Sequence, residues 1–205
     1  MLVLIPALGI LLFVTLYIVA AYYYPGGSQF DKNAVGFSWK NNYWCNLLND
    51  NAINGMKNTA QPVAITAMVI LCVALSIFWW QFPGYTTLTK RYRLAIQVCG
   101  IIAMVTGLLL FSKIDHDWIT NLASLFGLIA MTGTFTGLYK NKWTILFYFG
   151  LLNVALVAAN NFLYYNKELI SYLPLVQKIT FLTFLSWITC IDIKIFNLIP
   201  SQQTN

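Results

Sequence analysis

The residues best suited to do chemistry lie in one short polar segment, residues 112–117. It contains His116, the single histidine of the chain, flanked by Asp115 and Asp117. Two carboxylates beside an imidazole could orient its ring and favour its protonated form, as a general acid or base requires. A simpler interpretation is a polar turn in which Asp117 caps the next helix and faces its positive end. The sequence leaves both open.

A second group of polar residues lies within the apolar segments that follow. Asn121 is one helical turn after Asp117, and Asn160 and Lys178 interrupt two later apolar runs. Because amide and ammonium groups are costly against lipid, their faces should point inward. We therefore predict a polar cavity lined by Asp115, His116, Asp117, Asn121, Asn160 and Lys178. The alternatives are that the amides only cross-link helices and that Lys178 extends to the interface.

An aromatic segment near the N-terminus is the third candidate. Trp39, Tyr43 and Trp44 stand in a stretch rich in asparagine and glycine. Their rings could lie in the membrane interface or cover the cavity, so we predict that they bind a ligand.

Several kinds of site are absent from the sequence. One histidine cannot build a multi-histidine zinc hydrolase or a bis-histidine haem site. The Walker A loop, GxGxxG, HExxH and GxSxG patterns are missing. The four cysteines, Cys45, Cys72, Cys99 and Cys190, form no close pair, so a disulfide framework is not indicated. We predict no metal and no cofactor.

The composition indicates whether most of the protein surface faces water or lipid. The chain is 59% hydrophobic and 9% charged, whereas soluble domains carry roughly 25% charged residues. The excess apolar surface must face lipid. The net charge of +6 comes from basic residues scattered singly between apolar runs, so nucleic-acid binding is not indicated.

Six apolar stretches are long enough to span a bilayer as helices. The predicted spans are 2–24, 60–82, 93–112, 118–139, 143–165 and 172–195. The sequence thus predicts an all-α, polytopic membrane protein, a single transmembrane domain over 1–205 with six helices in one bundle. Residues 25–59 form a long, aromatic-rich first outer loop, with a short interfacial helix near Tyr43. The small residues of the third and fourth spans, such as Gly100 and Gly133, predict close packing inside the bundle.

The distribution of lysine and arginine predicts the orientation. The loops after the second and fourth spans are short and carry basic residues without acids, among them Arg91 and Lys140. The positive-inside rule therefore places both termini in the cytoplasm and the aromatic loop outside. The predicted location is the inner membrane of a bacterium.

The first two spans and their loop resemble a broad group of small six-helix bacterial membrane proteins, distantly similar to the DRAM/Frag superfamily. The motifs that carry the resemblance are Tyr24-Pro25-Gly26-Gly27, Gly36-Phe37-Ser38-Trp39, Asn42-Tyr43-Trp44-Cys45-Asn46-Leu47-Leu48 and Asn54-Gly55, with Asn58. Members of that superfamily are implicated in membrane trafficking and in remodelling lipid anchors. The resemblance therefore implies a role directed at lipid.

Three functions follow from these observations. The leading hypothesis is a non-enzymatic protein that binds a lipid or a membrane-protein partner at its outer face. The second is an intramembrane lipid-modifying enzyme that uses His116 with Asp115 or Asp117. The third is a small-solute transporter, although the chain lacks the internal repeat that such folds often show.

Overall fold

The computed structural model describes residues 2–109 and 116–199, and of residues 116, 117 and 120 only the backbone. Six helices in this part of the chain are long and apolar enough to cross a bilayer. They are α1 (Ile5–Tyr22), α2 (Gln61–Gln81), α3 (Lys90–Leu108), α4 (His116–Lys140), α5 (Thr144–Tyr165) and α6 (Leu173–Leu198). The predicted all-α membrane fold is confirmed, and the chain is an integral membrane protein.

The helix boundaries differ from the predicted ones by a few residues. α3 begins at Lys90, three residues earlier than expected, after Thr89 in extended conformation. Arg93 explains the difference: its guanidinium donates to the carbonyls of Leu88 at 2.8 Å and Thr86 at 2.5 Å. These bonds keep the guanidinium of Arg93 next to the residues that precede α3. Arg93 can therefore lie within the first turn of the helix instead of at its first position.

The chain divides into two compact units, each described here by itself. Unit 1 consists of Met1–Leu11, Met68–Gly150 and Ser186–Asn205. Unit 2 consists of Leu12–Ala67 and Leu151–Leu185. The single domain over 1–205 stays a prediction.

Close helix packing in unit 1 depends on glycine. A Cβ on Gly100 of α3 would overlap the ring of Trp79 in α2, and one on Gly133 of α4 would overlap Ile96 in α3. Substitution would force these neighbours to move, because packed interiors have little free volume. The prediction that these small residues serve packing within the chain is confirmed.

Unit 2 contains the long connection between α1 and α2, residues 23–60, which we call L1. Its regular structure within these residues is one 3₁₀ turn, Trp44–Leu48, and two isolated β-bridges, Gly26 with Val35 and Asn51 with Lys57. The short helix predicted near Tyr43 is therefore a single 3₁₀ turn.

Candidate functional site

L1 is held together by buried asparagine side chains. Asn42 is fully buried, its Nδ2 donates to the carbonyl of Gly27 at 2.8 Å, and its Oδ1 accepts the N–H of Ser38 at 2.8 Å. The Oδ1 of Asn46 accepts the N–H of Tyr43 at 2.7 Å. These amides replace the backbone ladder that a loop lacks, because buried polar backbone groups must find partners.

Asn58 joins the 3₁₀ turn to the start of α2. Its Nδ2 lies 3.2, 3.1 and 2.8 Å from the carbonyls of Asn46, Leu47 and Asn49, and its Oδ1 accepts the N–H of Ala60 at 3.1 Å. One side chain thereby satisfies the carbonyl end of the turn and a backbone donor next to α2. The motifs that carried the family resemblance include these asparagines, and their role in the structure is to fold the loop.

A glycine allows two distant parts of L1 to meet. Gly27 has φ +82°, and a Cβ there would overlap the backbone N of Asn54 and lie 2.8 Å from the carbonyl carbon of Ile53. The N–H of Asn54 donates to the carbonyl of Gly26 at 3.3 Å, and the N–H of Ile53 donates to the hydroxyl oxygen of Tyr24 at 3.0 Å. Glycine is required here both for its backbone conformation and for lack of space.

Trp44 anchors L1 to two helices of unit 2. Its ring centroid lies 6.1 Å from Phe13 and 5.3 Å from Tyr17, both in α1, and 5.3 Å from Phe181 in α6. Tilted and edge-to-face pairs of this kind add about 0.5–1.5 kcal/mol each beyond simple burial. Trp44 therefore packs L1 against these helices, and its predicted role in binding a ligand stays a prediction.

Lys178 of α6 lies directly beneath L1 and is 5% exposed. Its ammonium donates to the carbonyl of Asn42 in L1 and, at 2.7 Å, to the carbonyl of Pro174. The Nζ also lies 5.9 Å from the centroid of the Phe37 ring. Within the described part of the chain no carboxylate pairs with it. The charge is held by carbonyl oxygens and an aromatic face, and it fastens L1 to α6.

Cys45 is a titratable group of L1 that lies close enough to Lys178 to interact with its charge. Although part of the residue is exposed, the protein atoms packed around the thiol raise its pKa above the ordinary value, and the charge of Lys178 opposes this only in part. A nucleophilic thiol needs the opposite shift, which favours the thiolate. Cys45 therefore lacks the activation expected of a catalytic cysteine.

The surface of L1 carries apolar side chains next to lysines. Three exposed apolar residues each lie within two positions of an exposed lysine: Phe30 and Lys32, Trp39 and Lys40, Met56 and Lys57. Trp39 is 49% exposed, with its ring 5.2 Å from Phe37. We call these six residues the apolar–lysine edge of L1.

The acidic and the basic side chains of L1 differ in the contacts that they make. The carboxylate of Asp31 accepts the N–H of Asn33 at 2.9 Å, and that of Asp50 accepts Nε2 of Gln61 at 2.7 Å. The lysines of the edge form no hydrogen bond or ion pair with any residue that the structure describes. The two acids of L1 thus accept hydrogen bonds, one from the loop and one from the start of α2, while the three lysines stay free for an external anion.

The other predicted site residues that the structure describes have different surroundings. Asn121 is exposed, and Tyr43 is half-buried. Asn160 of α5 donates through Nδ2 to Oγ1 of Thr180 in α6 at 2.5 Å, and this bond joins the two helices. The same Nδ2 also donates to the carbonyl of Leu156, one turn earlier in α5. Asn160 therefore acts as a cross-link between helices. The polar cavity stays a prediction, since Asp115 and the side chains of His116 and Asp117 lie outside the described residues.

Asp192 of α6 is an acid buried within a membrane-spanning helix. It is fully buried, whereas Lys194, two residues later, is exposed. Its carboxyl oxygens make no well-formed hydrogen bond to the described residues, although the backbone N–H of Ala7, in the first turn of α1, interacts with the carboxyl group. The cost of an acid inside a membrane helix was the signal that could have identified this position.

Comparison with protein-family models, with curated proteins and with solved structures finds no match for this chain.

Proposed function

We propose that this protein binds anionic membrane lipids at its outer face, through the apolar–lysine edge of L1. The observation that carries the proposal is the pairing of exposed apolar side chains with free lysines on a loop in which every buried side-chain polar atom has a hydrogen-bond partner. In this account the protein is a non-enzymatic lipid-binding protein of a bacterial inner membrane, with both termini in the cytoplasm.

The chemistry of the edge suits a headgroup layer. Aromatic and aliphatic side chains such as Trp39 and Met56 favour the boundary between water and acyl chains. A lysine near an anionic surface contributes about 1 kcal/mol, and three lysines act together. L1 would present them as a preformed surface, which lowers the entropic cost of binding. The resemblance to the DRAM/Frag superfamily, which we propose as a distant relationship, points in the same direction.

The experiment is native mass spectrometry of the full chain in mild detergent with added phosphatidylglycerol. We expect Trp39→Ala to lower the retained phosphatidylglycerol about five- to thirtyfold, since burying an aromatic side chain contributes roughly 1–2 kcal/mol in such a setting. Trp80→Ala is the matched control, because Trp80 is an exposed tryptophan of α2 outside L1. Equal retention by the wild type and both variants would contradict the proposal.

The same experiment includes His116→Ala, which addresses the lipid-modifying enzyme. Binding alone predicts the same intact lipids with the wild type and with His116→Ala. A cleaved or modified lipid that accompanies only the wild type would make His116 catalytic and replace the binding proposal.

A further inference from the structure

We propose a second site, a groove at the end of α5 that binds a zwitterionic phospholipid carrying a primary ammonium, as in phosphatidylethanolamine. The groove is a shallow, open one with a volume of about 730 Å³, and it is lined by Asn161, Phe162, Tyr165, Asn166, Lys167 and Glu168. It lies apart from the apolar–lysine edge in sequence and differs from it in charge. The site therefore goes beyond the proposed function.

The position of the groove matches the level of lipid headgroups. Tyr165 is the last residue of the span Thr144–Tyr165, and the polar residues of the groove follow it directly. Phe162 is 62% exposed and Tyr165 is 81% exposed. Exposed aromatic rings at the end of a span are typical of the interface between acyl chains and headgroups.

The two charges of the groove are the reason for choosing a zwitterion. Lys167 and Glu168 are adjacent and exposed, and neither forms an ion pair with the other or with any residue described by the structure. Asn166 fixes their backbone, because its Oδ1 accepts the N–H of Glu168 at 3.1 Å. A cation and an anion held side by side and left unpaired are complementary to a phosphate and an ammonium joined by a short linker.

The amide groups of the groove favour an ammonium that can donate hydrogen bonds. Asn161 uses its Nδ2 on the carbonyl of Val157 at 3.1 Å, which leaves its Oδ1 to accept. Asn166 uses its Oδ1 and keeps its Nδ2 to donate to a phosphate oxygen. A primary ammonium can donate to Asn161 and to Glu168, whereas a quaternary ammonium has no N–H to give.

The face of α5 below the groove offers a path for acyl chains. Val154, Val157, Asn161 and Tyr165 follow one another at helical spacing and are all exposed. In the most apolar 18-residue stretch of α5, 11% of the residues are buried, whereas the share is 22% or more in the other described spans. A lipid whose headgroup sits in the groove would thus lie along an apolar stripe, which commits the site to a whole phospholipid rather than to a soluble headgroup.

The test compares phosphatidylethanolamine, phosphatidylcholine and phosphatidylglycerol bound to the full chain by native mass spectrometry. We expect the wild type to retain phosphatidylethanolamine more strongly than phosphatidylcholine, and Glu168→Gln to lower that retention about three- to tenfold, the equivalent of one net hydrogen bond at an exposed site. Lys167→Gln should lower retention of both zwitterionic lipids. Lys90→Gln is the control, since Lys90 is an exposed lysine at the start of α3.

The outcomes separate this site from the edge of L1. Trp39→Ala should leave phosphatidylethanolamine retention unchanged, and Glu168→Gln should leave phosphatidylglycerol retention unchanged. Equal binding of phosphatidylethanolamine and phosphatidylcholine by the wild type, or unchanged phosphatidylethanolamine retention in Glu168→Gln, would overturn the proposal. Displacement of the lipid by soluble glycerophosphoethanolamine at equal concentration would overturn the assignment to a whole phospholipid.

Discussion

Lys178 carries a buried charge that costs free energy, and the same charge fastens L1 to α6. Removing an ammonium from water costs several kcal/mol, and its carbonyl partners compensate only in part. The positive charge also acts on Cys45, whose pKa it lowers against the larger effect of burial. The reactivity of the Cys45 thiol therefore reports on the contact between L1 and α6.

We expect Lys178→Met to slow the alkylation of Cys45 at pH 8. The thiolate is the reactive form, burial already raises the pKa of Cys45 above its ordinary value, and loss of the nearby cation raises it further. The rate profile should therefore move to higher pH, as measured by peptide mass spectrometry after a maleimide pulse. Lys178→Arg is the control and should keep the wild-type profile.

The opposite result is also informative about this contact. Faster alkylation in Lys178→Met would show that L1 lifts away from α6, and an unchanged profile would show that the charge does not reach the thiol. The first result would agree with Lys178 as the residue that fastens L1 to α6, and the second would contradict the electrostatic coupling between Lys178 and Cys45 described here.

Residue types alone could not assign roles to the two neighbouring tryptophans. Trp39 and Trp44 stand in the same aromatic segment, and both were predicted to bind a ligand. The structure packs Trp44 against Phe13, Tyr17 and Phe181, whereas Trp39 stays half-exposed. The difference comes from contacts between residues far apart in sequence, which a local pattern does not contain.

L1 is the element whose structure the sequence described least. Spans are readable because the bilayer imposes their length and apolar character. No comparable rule governs a loop of irregular backbone, and the hydrogen bonds of Asn42 and Asn58 reach residues many positions away. The motif residues indicated that L1 is structured, but only the structure identifies the residues to which they form hydrogen bonds.

We expect Gly27→Ala to destabilise L1 by about 1–3 kcal/mol, since alanine is strained at this φ and its Cβ meets the backbone of Asn54. The measurement is the thermal midpoint in detergent together with the rate of limited proteolysis within L1. Gly36→Ala is the matched control, because Gly36 has φ +67° and open space around its Cα. It should show the backbone strain alone.

Equal midpoints and equal cleavage rates for Gly27→Ala and Gly36→Ala would show that the close approach to Asn54 does not stabilise the loop. L1 would then be a flexible connection, and the apolar–lysine edge would lose the preformed geometry on which the proposed function depends.

At the scale of the whole molecule, both proposed lipid sites require one orientation. The apolar–lysine edge lies between α1 and α2, and the groove lies between α5 and α6. If the spans alternate in direction, as the sequence predicts, we expect these connections to share a membrane face and the turn between α4 and α5 to lie on the other. Composition was sufficient to predict membrane insertion, while the orientation rests on a small excess of lysine and arginine in short loops.

The most direct test of this account is labelling of intact cells with a membrane-impermeant maleimide, using a chain whose native cysteines are replaced by alanine. Single cysteines are introduced as Lys57→Cys in L1, Lys167→Cys in the groove and Asn141→Cys in the turn between α4 and α5. We expect the first two to react in intact cells and Asn141→Cys to react only after permeabilisation. Labelling of Asn141→Cys in intact cells, or protection of either of the other two, would contradict the outer-face account.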